Sequence, residues 1–352
     1  MIQKYQRSMK TMMLTRLGQM LMMEVPEPGI VNNTDVKVQM KTVGVCGSDI
    51  HYYLEGKIGS QVVAYPFTVG HEGAGIVLET GTGVTRVKPG DRVAIEPAMP
   101  CWTCDQCKAG RYHTCRKLRF LGCPGQADGC LSELIVMPER SCIPIDKLLS
   151  MDEAVISEPL AIGIYAVKKS VPMPGTSIAI LGSGPIGMSV MLAARAEGCE
   201  SVYMTDRIDE RLHCVAQAGA SWTGNVEKTD VVGEILQKEP FMLDAVFECS
   251  GKQEAFNQAI EMIKPGGKLI LVGIPAFDNW TVPADIARRK EITIQNIRRQ
   301  VDCTETALQS MSSGRIRAQS MVTHRFSFEN TEQAFKLVAS YGEGVMKAMI
   351  DI

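Results

Sequence analysis

Short apolar runs separated by glycine and proline turns dominate the first 160 residues. The clearest of them lie at residues 35–45 and 73–80, and a turn at residues 89–91 precedes another at residues 92–97. No helical pattern of useful length is found before about Met151. This half of the chain therefore predicts a β-rich domain.

The pattern changes at about Val171. Residues 176–206 read as strand, glycine loop, helix and strand. Further strands follow at residues 243–250, 267–274 and 291–297, with helical stretches between them. Strands that alternate with helices favour a parallel sheet covered on both faces, so we expect an α/β fold.

After about Arg298 the sequence predicts two helices, at residues 304–314 and 330–342, and a last strand at residues 345–352. We expect this tail to return to the first domain, so that the α/β unit is an insertion within it. The expected domains are therefore residues 1–160, 161–299 and 300–352.

Composition excludes several classes of partner. The chain has 352 residues and a formal net charge of -2, which indicates two domains and gives no electrostatic case for nucleic acid or a membrane surface. We find neither an apolar run of membrane-spanning length nor a signal peptide at the start. We expect a cytoplasmic protein.

One stretch carries three different metal-binding side chains. Cys46 precedes Ser48, Asp49 and His51, and the tripeptide Gly70-His71-Glu72 follows some twenty residues later. A thiolate, an imidazole and a carboxylate together suit Zn²⁺. Three protein ligands leave a fourth position open, which is typical of a catalytic zinc.

Four of the twelve cysteines fall in one short loop, at Cys101, Cys104, Cys107 and Cys115. Four thiolates at this spacing predict a second, structural zinc with no open position. His113 lies in the same loop, and we expect it at the surface. The remaining cysteines are interpreted as buried or partly buried free thiols, namely Cys123, Cys130, Cys142, Cys199, Cys214, Cys249 and Cys303.

A glycine loop predicts a dinucleotide site. Residues 182–187 match G-x-G-x-x-G after an apolar strand and before a helix. Gly182 would permit the tight turn, Gly184 the approach of the pyrophosphate and Gly187 close packing of helix on strand. Pro185 and Ile186 begin the helix whose N-terminus faces the phosphates.

The next strand ends at Asp206, nineteen residues after Gly187. A carboxylate there accepts hydrogen bonds from the adenine ribose and repels a 2′-phosphate, which favours NAD over NADP. Arg207 keeps the alternative open, because an arginine beside the ribose can bind that phosphate. Arg207 and Arg211 are otherwise expected to be solvated or to cover the adenine.

In this order, the motifs around Cys46 and His71, the cysteine loop, residues 157–160 and the glycine loop resemble the zinc-containing medium-chain dehydrogenases, and most closely their sorbitol (polyol) dehydrogenase branch. The resemblance covers nearly the whole chain. It implies a chaperonin-10-like (GroES-like) catalytic domain, an inserted Rossmann domain of doubly wound parallel sheet, and a zinc site in the cleft between them.

The resemblance also implies roles for individual residues. Cys46 and His71 would bind the catalytic zinc, with either Glu72 or Glu158 as the carboxylate, and Asp49 would orient His71. Ser48 would take the hydroxyl proton and pass it on to His51, which is otherwise a surface imidazole. The zinc would lower the pKa of a substrate hydroxyl so that its carbon can give a hydride to NAD.

Four further assignments follow from the same resemblance. Tyr53 and Phe120 match substrate-pocket positions, although Phe120 could equally be core. The backbone of residues 272–274 (Val272, Gly273 and Ile274) would hold the nicotinamide carboxamide, and Arg298 matches a position facing cofactor and substrate.

Arg299 departs from the family, which usually has tyrosine there. Two adjacent guanidiniums suit a carboxylate or phosphate. Our hypothesis is a sugar acid or phosphorylated polyol as substrate, and the alternative is that Arg299 points to solvent.

We therefore expect a zinc- and NAD-dependent polyol dehydrogenase acting on a small molecule. The alternatives are a threonine-type dehydrogenase of the same family and a non-catalytic nucleotide-binding member. An edge strand at residues 291–297 favours a homodimer or homotetramer.

Overall fold

The computed structural model of the chain describes residues 7–352. The first six residues, part of the segment in which we expect no signal peptide, lie outside the described residues. Among the described residues, no helix is both long and apolar enough to cross a membrane.

The strands are β1 Ser8–Arg16, β2 Gln19–Pro26, β3 Asp35–Gly44, β4 Lys57–Ile58, β5 Gln61–Val62, β6 Glu72–Thr80, β7 Arg92–Ile95, β8 Ala98–Met99, β9 Arg119–Phe120, β10 Leu134–Pro138, β11 Cys142–Pro144, β12 Ser177–Leu181, β13 Ser201–Asp206, β14 Trp222–Asn225, β15 Leu243–Glu248, β16 Ile263–Leu271, β17 Thr293–Asn296, β18 Val322–Ser327 and β19 Lys347–Asp351. The α-helices are α1 Gly47–Glu55, α2 Asp105–Lys108, α3 Met151–Lys169, α4 Pro185–Ala196, α5 Asp209–Gln217, α6 Val231–Lys238, α7 Gln253–Met262, α8 Ala284–Arg289, α9 Thr304–Ser312 and α10 Thr331–Ala339.

The chain forms two compact units. The first contains the residues up to Glu158 together with Val322–Ile352, and the second contains Pro159–Met321. The second unit is therefore inserted into the first, as the sequence predicts.

The first unit is built around a sheet in the order β11-β7-β6-β3-β19-β18, with β10 also paired to β3. All of its pairings are antiparallel except that of β18 with β19. In the central strand β3, Val36, Val38 and Met40 are fully buried. This alternation fits a strand with one face on the core.

The second unit contains a parallel sheet in the order β14-β13-β12-β15-β16-β17. This is the strand order of the doubly wound Rossmann fold, so the predicted α/β fold class is confirmed. Residues 178–181 of the central strand β12 are all buried, because a parallel sheet covered on both faces exposes neither side. The predicted edge position of residues 291–297 is also confirmed, since β17 ends the sheet.

Two expectations about the fold need correction. The return to the first unit begins at Val322, not at residue 300, so α9 belongs to the second unit. A helix also precedes Met151: α1 is only nine residues long, too short for its apolar positions to repeat clearly in the sequence.

Close packing between α4 and β12 depends on Gly187. A Cβ atom at this position would lie 1.9 Å from the carbonyl oxygen of Gly182, which is backbone and cannot rotate away. The third glycine of the loop is therefore a packing requirement of the fold itself.

We expect Gly187→Ala to lower the free energy of unfolding by about 1–3 kcal/mol, the usual effect of overpacking. Urea-induced unfolding followed by circular dichroism measures it. Gly29→Ala is the matched control, because a Cβ there meets no atom within 4 Å. Equal unfolding midpoints for the two variants would contradict the packing argument.

Candidate functional site

Helix α1 positions the first group of predicted site residues. Cys46 is the residue that precedes the helix, in extended conformation. The Ser48 hydroxyl donates to Cys46 Sγ over 3.3 Å, and the Cys46 N–H lies 3.4 Å from Asp49 Oδ2. The start of the helix therefore fixes both the thiol and the hydroxyl.

His71 and Glu72 lie where β6 begins. Gly70, with a φ of 98°, turns the chain into the strand in a conformation that favours glycine. Asp49 Oδ1 lies 3.3 Å from His71 Nδ1, and both side chains are almost completely buried. As the sequence predicted, Asp49 is the residue that orients His71.

Three ligand-type atoms converge here. Cys46 Sγ, a ring nitrogen of His71 and a carboxylate oxygen of Glu72 lie within 4.8 Å of one another. A thiolate, an imidazole and a carboxylate at this separation fit a tetrahedral zinc with ligand distances of about 2.0–2.3 Å. Burial alone would lower the pKa of His71, but the Asp49 and Cys46 charges outweigh it and raise that pKa well above its usual value.

Sequence reasoning missed Lys347, which lies beside this group. Its ammonium contacts Glu72 Oε1 at 2.8 Å and Oε2 at 2.6 Å. Strand register brings them together, because Gly44 at the end of β3 pairs with Glu72 on one side and Met349 on the other. The available signal was a single lysine within the apolar last strand.

Glu158 lies inside α3, directly before Pro159. It is half-buried and is not part of the Cys46–His71–Glu72 group. Desolvation raises its pKa to about 7, with His71 lowering that pKa and Glu72 raising it. Glu158 therefore lies close enough to the Cys46–His71–Glu72 group to interact with it electrostatically, although its carboxylate is not one of the converging ligand atoms.

His51 is three residues beyond Ser48 on α1 and is half-buried. Its Nδ1 lies 3.2 Å from Glu55 Oε1, one helical turn further along. This pair orients the imidazole at the protein surface, a geometry that fits both the relay role and a simple surface histidine.

The two predicted pocket aromatics lie in different surroundings. The Phe120 ring lies 5.5 Å from the His71 ring, so it borders the metal-binding group. Tyr53 is a correction: its hydroxyl donates to the Gly18 carbonyl over 2.9 Å, its ring packs on Phe335, and it is 3% exposed. Tyr53 is a core residue of the first unit.

The four cysteines of the loop come together as predicted. Neighbouring sulfurs lie 3.4 Å (Cys101 and Cys115), 3.6 Å (Cys104 and Cys107) and 3.8 Å (Cys104 and Cys115) apart. Tetrahedral zinc bound by four thiolates requires sulfur separations of about 3.8 Å. The donor set and its spacing therefore fit a structural zinc.

Two remaining predictions concern this loop and the other thiols. His113 is buried, at 5% exposure, so its expected surface position is wrong. The seven cysteines other than Cys46 and the four of the loop are free thiols that are buried or partly buried. This confirms the prediction made for them.

The glycine loop follows β12 directly. Gly182 has a φ of 107°, and Gly184 precedes the first turn of α4 with Pro185 and Ile186 after it. Asp206 Oδ2 accepts the Ser183 N–H over 2.7 Å, so the carboxylate that ends β13 also holds the loop. Free N–H groups at a helix start beside a glycine turn suit a pyrophosphate.

The two arginines near this loop differ. Arg207 is exposed, whereas Arg211 is buried and its Nη1 would lie 3.4 Å from a Cβ atom at Gly184. Arg211 is therefore not solvated but lies against Gly184 of the loop, and its contact with the adenine stays a prediction.

Residues 272–274 follow β16. The Val272 and Gly273 N–H groups already donate to the Glu248 carbonyl, over 2.8 and 2.9 Å, so a carboxamide would contact other polar groups of this turn. Arg298 is exposed, and Arg299 is half-buried with its Nη1 shielded from solvent. One nitrogen of the Arg299 guanidinium is therefore turned away from solvent, while its role toward a substrate stays a prediction.

Two family profiles match the chain. "Alcohol dehydrogenase GroES-like domain" matches residues 32–147, and "Zinc-binding dehydrogenase" matches residues 185–313. The first covers both cysteine-containing zinc motifs, and the second begins within the glycine loop.

Curated relatives match over almost the whole chain. A sorbitol dehydrogenase of Bacillus subtilis (strain 168) is 33% identical over 98% of this chain and 97% of its own length. An L-idonate 5-dehydrogenase of Vitis vinifera is 35% identical over 90% of this chain and 88% of its own. Among solved structures, galactitol-1-phosphate dehydrogenase of Escherichia coli is 27% identical with a TM-score of 0.89, covering 98% of this chain and 100% of that one. With this fold, these motifs and this extent of similarity, the chain belongs to the zinc-containing medium-chain dehydrogenases.

Proposed function

We propose that the protein is a zinc-dependent oxidoreductase that transfers a hydride from a secondary hydroxyl of a polyol or sugar derivative to NAD⁺. The observation that carries the proposal is the convergence of Cys46, His71 and Glu72 within 4.8 Å. Whole-length similarity to sorbitol and L-idonate dehydrogenases supports the substrate class.

When bound, the zinc supplies a Lewis acid that lowers the pKa of the substrate hydroxyl, and NAD supplies the hydride acceptor. Cys46, His71 and Glu72 would hold the metal, with Glu158 available as an alternative carboxylate. Ser48 Oγ, already in hydrogen-bonding contact with Cys46 Sγ, would accept the proton of the substrate hydroxyl. His51, one turn along α1, would receive it and release it to water.

Two residues of this chain would determine which cofactor and which substrate are bound. Asp206, whose oxygens accept backbone N–H groups of the glycine loop and of residues 207 and 208, would also accept the adenine ribose hydroxyls, which favours NAD. Arg299 supports a second candidate substrate, a sugar acid or phosphorylated polyol, because its guanidinium is partly buried and an L-idonate dehydrogenase is among the relatives.

We also propose a cytoplasmic homodimer or homotetramer. The support for assembly is β17, an edge strand whose residues are mostly exposed and which could pair with a second copy.

We expect Cys46→Ser to bind one zinc per chain instead of two, because a serine hydroxyl is a far weaker zinc ligand than a thiolate. Cys104→Ser should also lose one zinc and, in addition, unfold at lower temperature. Elemental analysis and thermal unfolding measure both. Cys214→Ser, a half-buried thiol outside both groups, is the control and should keep two. Two zincs in Cys46→Ser would count against the catalytic site.

We expect the protein to reduce NAD⁺ with at least one of neutral polyols, sugar acids or sugar phosphates, and we expect a zinc chelator to abolish this activity.

If the substrate is anionic, Arg299→Ala should lower kcat/KM about tenfold or more, the effect of losing a charge-assisted hydrogen bond. Arg317→Ala, an exposed arginine, is the matched control. Neutral polyols as best substrates with Arg299→Ala unaffected would reject the acidic-substrate candidate. No turnover, with a single zinc bound, would reject the enzyme assignment.

We expect Asp206→Asn to lower kcat/KM for NAD⁺ about tenfold and to raise it for NADP⁺, since the repulsion of a 2′-phosphate disappears. Steady-state kinetics with both cofactors measure the change. Asp278→Asn, an exposed carboxylate elsewhere in the second unit, should leave both values unchanged. A wild-type preference for NADP⁺ would instead assign the 2′-phosphate to Arg207.

A further inference from the structure

A buried ion pair borders the proposed catalytic metal site. The side chains of Lys347 and Glu72 are each 1% exposed, and the ammonium contacts both carboxylate oxygens. Its third hydrogen is directed to the Val45 carbonyl at 3.2 Å. Each of the three N–H donors of the lysine ammonium therefore has an acceptor.

Such a pair has little value for stability alone. The desolvation of two charges offsets most of their attraction, and well-packed apolar side chains often do as well. The same Glu72 carboxylate, however, lies within 4.8 Å of Cys46 and His71. One carboxylate thus faces two cation positions, the lysine ammonium and the metal site.

Glu72 has little room to move between them. A Cβ atom at Gly44 would lie 2.5 Å from Glu72 Oε2, so the β3 backbone closes one side of the carboxylate. The glycine at this position and the lysine hold Glu72 in one orientation. The lysine ammonium and the metal must therefore both contact the Glu72 carboxylate in this one position.

We propose that Lys347 is a positioning residue that competes with the catalytic metal for the Glu72 carboxylate and thereby makes Glu72 a weak metal ligand. This inference rests on the proposed function, because it concerns the same metal site. Charge balance supports it. The Cys46 thiolate and the Glu72 and Asp49 carboxylates carry three negative charges, which a divalent metal and the Lys347 ammonium together neutralise.

Lysine removal separates the two roles of Glu72. Without Lys347, the Glu72 carboxylate loses its ammonium partner, and in the loaded protein the metal becomes the cation that neutralises it. Metal binding should therefore tighten, and the metal-free protein should lose stability, because an unpaired buried charge is strongly unfavourable.

The experiment compares Lys347→Met with wild type after replacement of zinc by Co²⁺. We expect the catalytic-site affinity for Co²⁺ to rise about tenfold, within the range typical of changes around metal ligands, and the Co²⁺ visible absorption bands to shift. We expect the melting temperature to fall by several degrees in metal-free protein and much less in loaded protein. Lys336→Met, a lysine on the surface of α10, is the matched control and should change none of these.

A second pair of variants covers the case in which Lys347→Met does not fold. Glu72→Gln and the double variant Glu72→Gln/Lys347→Met both lack the carboxylate for which the lysine competes. We expect the two to bind Co²⁺ equally and to have the same spectrum. A difference between them as large as that between Lys347→Met and wild type would mean that Lys347 does not act through Glu72.

The inference is overturned if Lys347→Met binds Co²⁺ no more tightly than wild type, or if the variant is destabilised equally with and without metal. Failure of the proposed function looks different. In that case wild type itself binds a single Co²⁺ per chain, in the four-cysteine loop, and both the function and the inference fall. Two Co²⁺ ions in wild type with no change in Lys347→Met removes the inference alone.

Discussion

The pairing of three strands at the end of β3 is the constraint on which the first unit's chemistry depends. Gly44 is paired with Glu72 of β6 on one side and with Met349 of β19 on the other. This register places Lys347 against Glu72 although the two are 275 residues apart in the chain. A shift of one residue in either pairing would turn one of these side chains to the opposite face of the sheet.

The same part of the first unit contains one firmly held histidine and two carboxylates in different electrostatic surroundings. Asp49 and His71 are both buried, and their contact of 3.3 Å orients the imidazole. Glu72 and Glu158 differ, because the first is paired with a lysine and the second is a half-buried carboxylate of raised pKa. If the two carboxylates bind the metal as proposed, their different surroundings make them ligands of different strength.

Local motifs predicted much of this protein, because their chemistry is encoded within a few residues. The four-cysteine loop and the glycine loop each gather their functional groups over a short stretch, and strand-helix alternation predicted the parallel sheet of the second unit. Features that depend on contacts between distant residues were harder to predict. Nothing local places Tyr53 in the core, since its environment depends on Phe335. The boundary at Val322 was missed because a helix pattern does not say which unit the helix packs on.

The sequence by itself determined the donor chemistry: which thiols, imidazole and carboxylates are present, and that a glycine turn precedes a helix. Only the tertiary structure decided how those donors are shared. It brought Glu72, but not Glu158, into the group with Cys46 and His71, and it added Lys347 from the last strand. The physical reason is that ligand strength depends on which charges lie within a few ångströms, and sheet register between distant strands sets those distances.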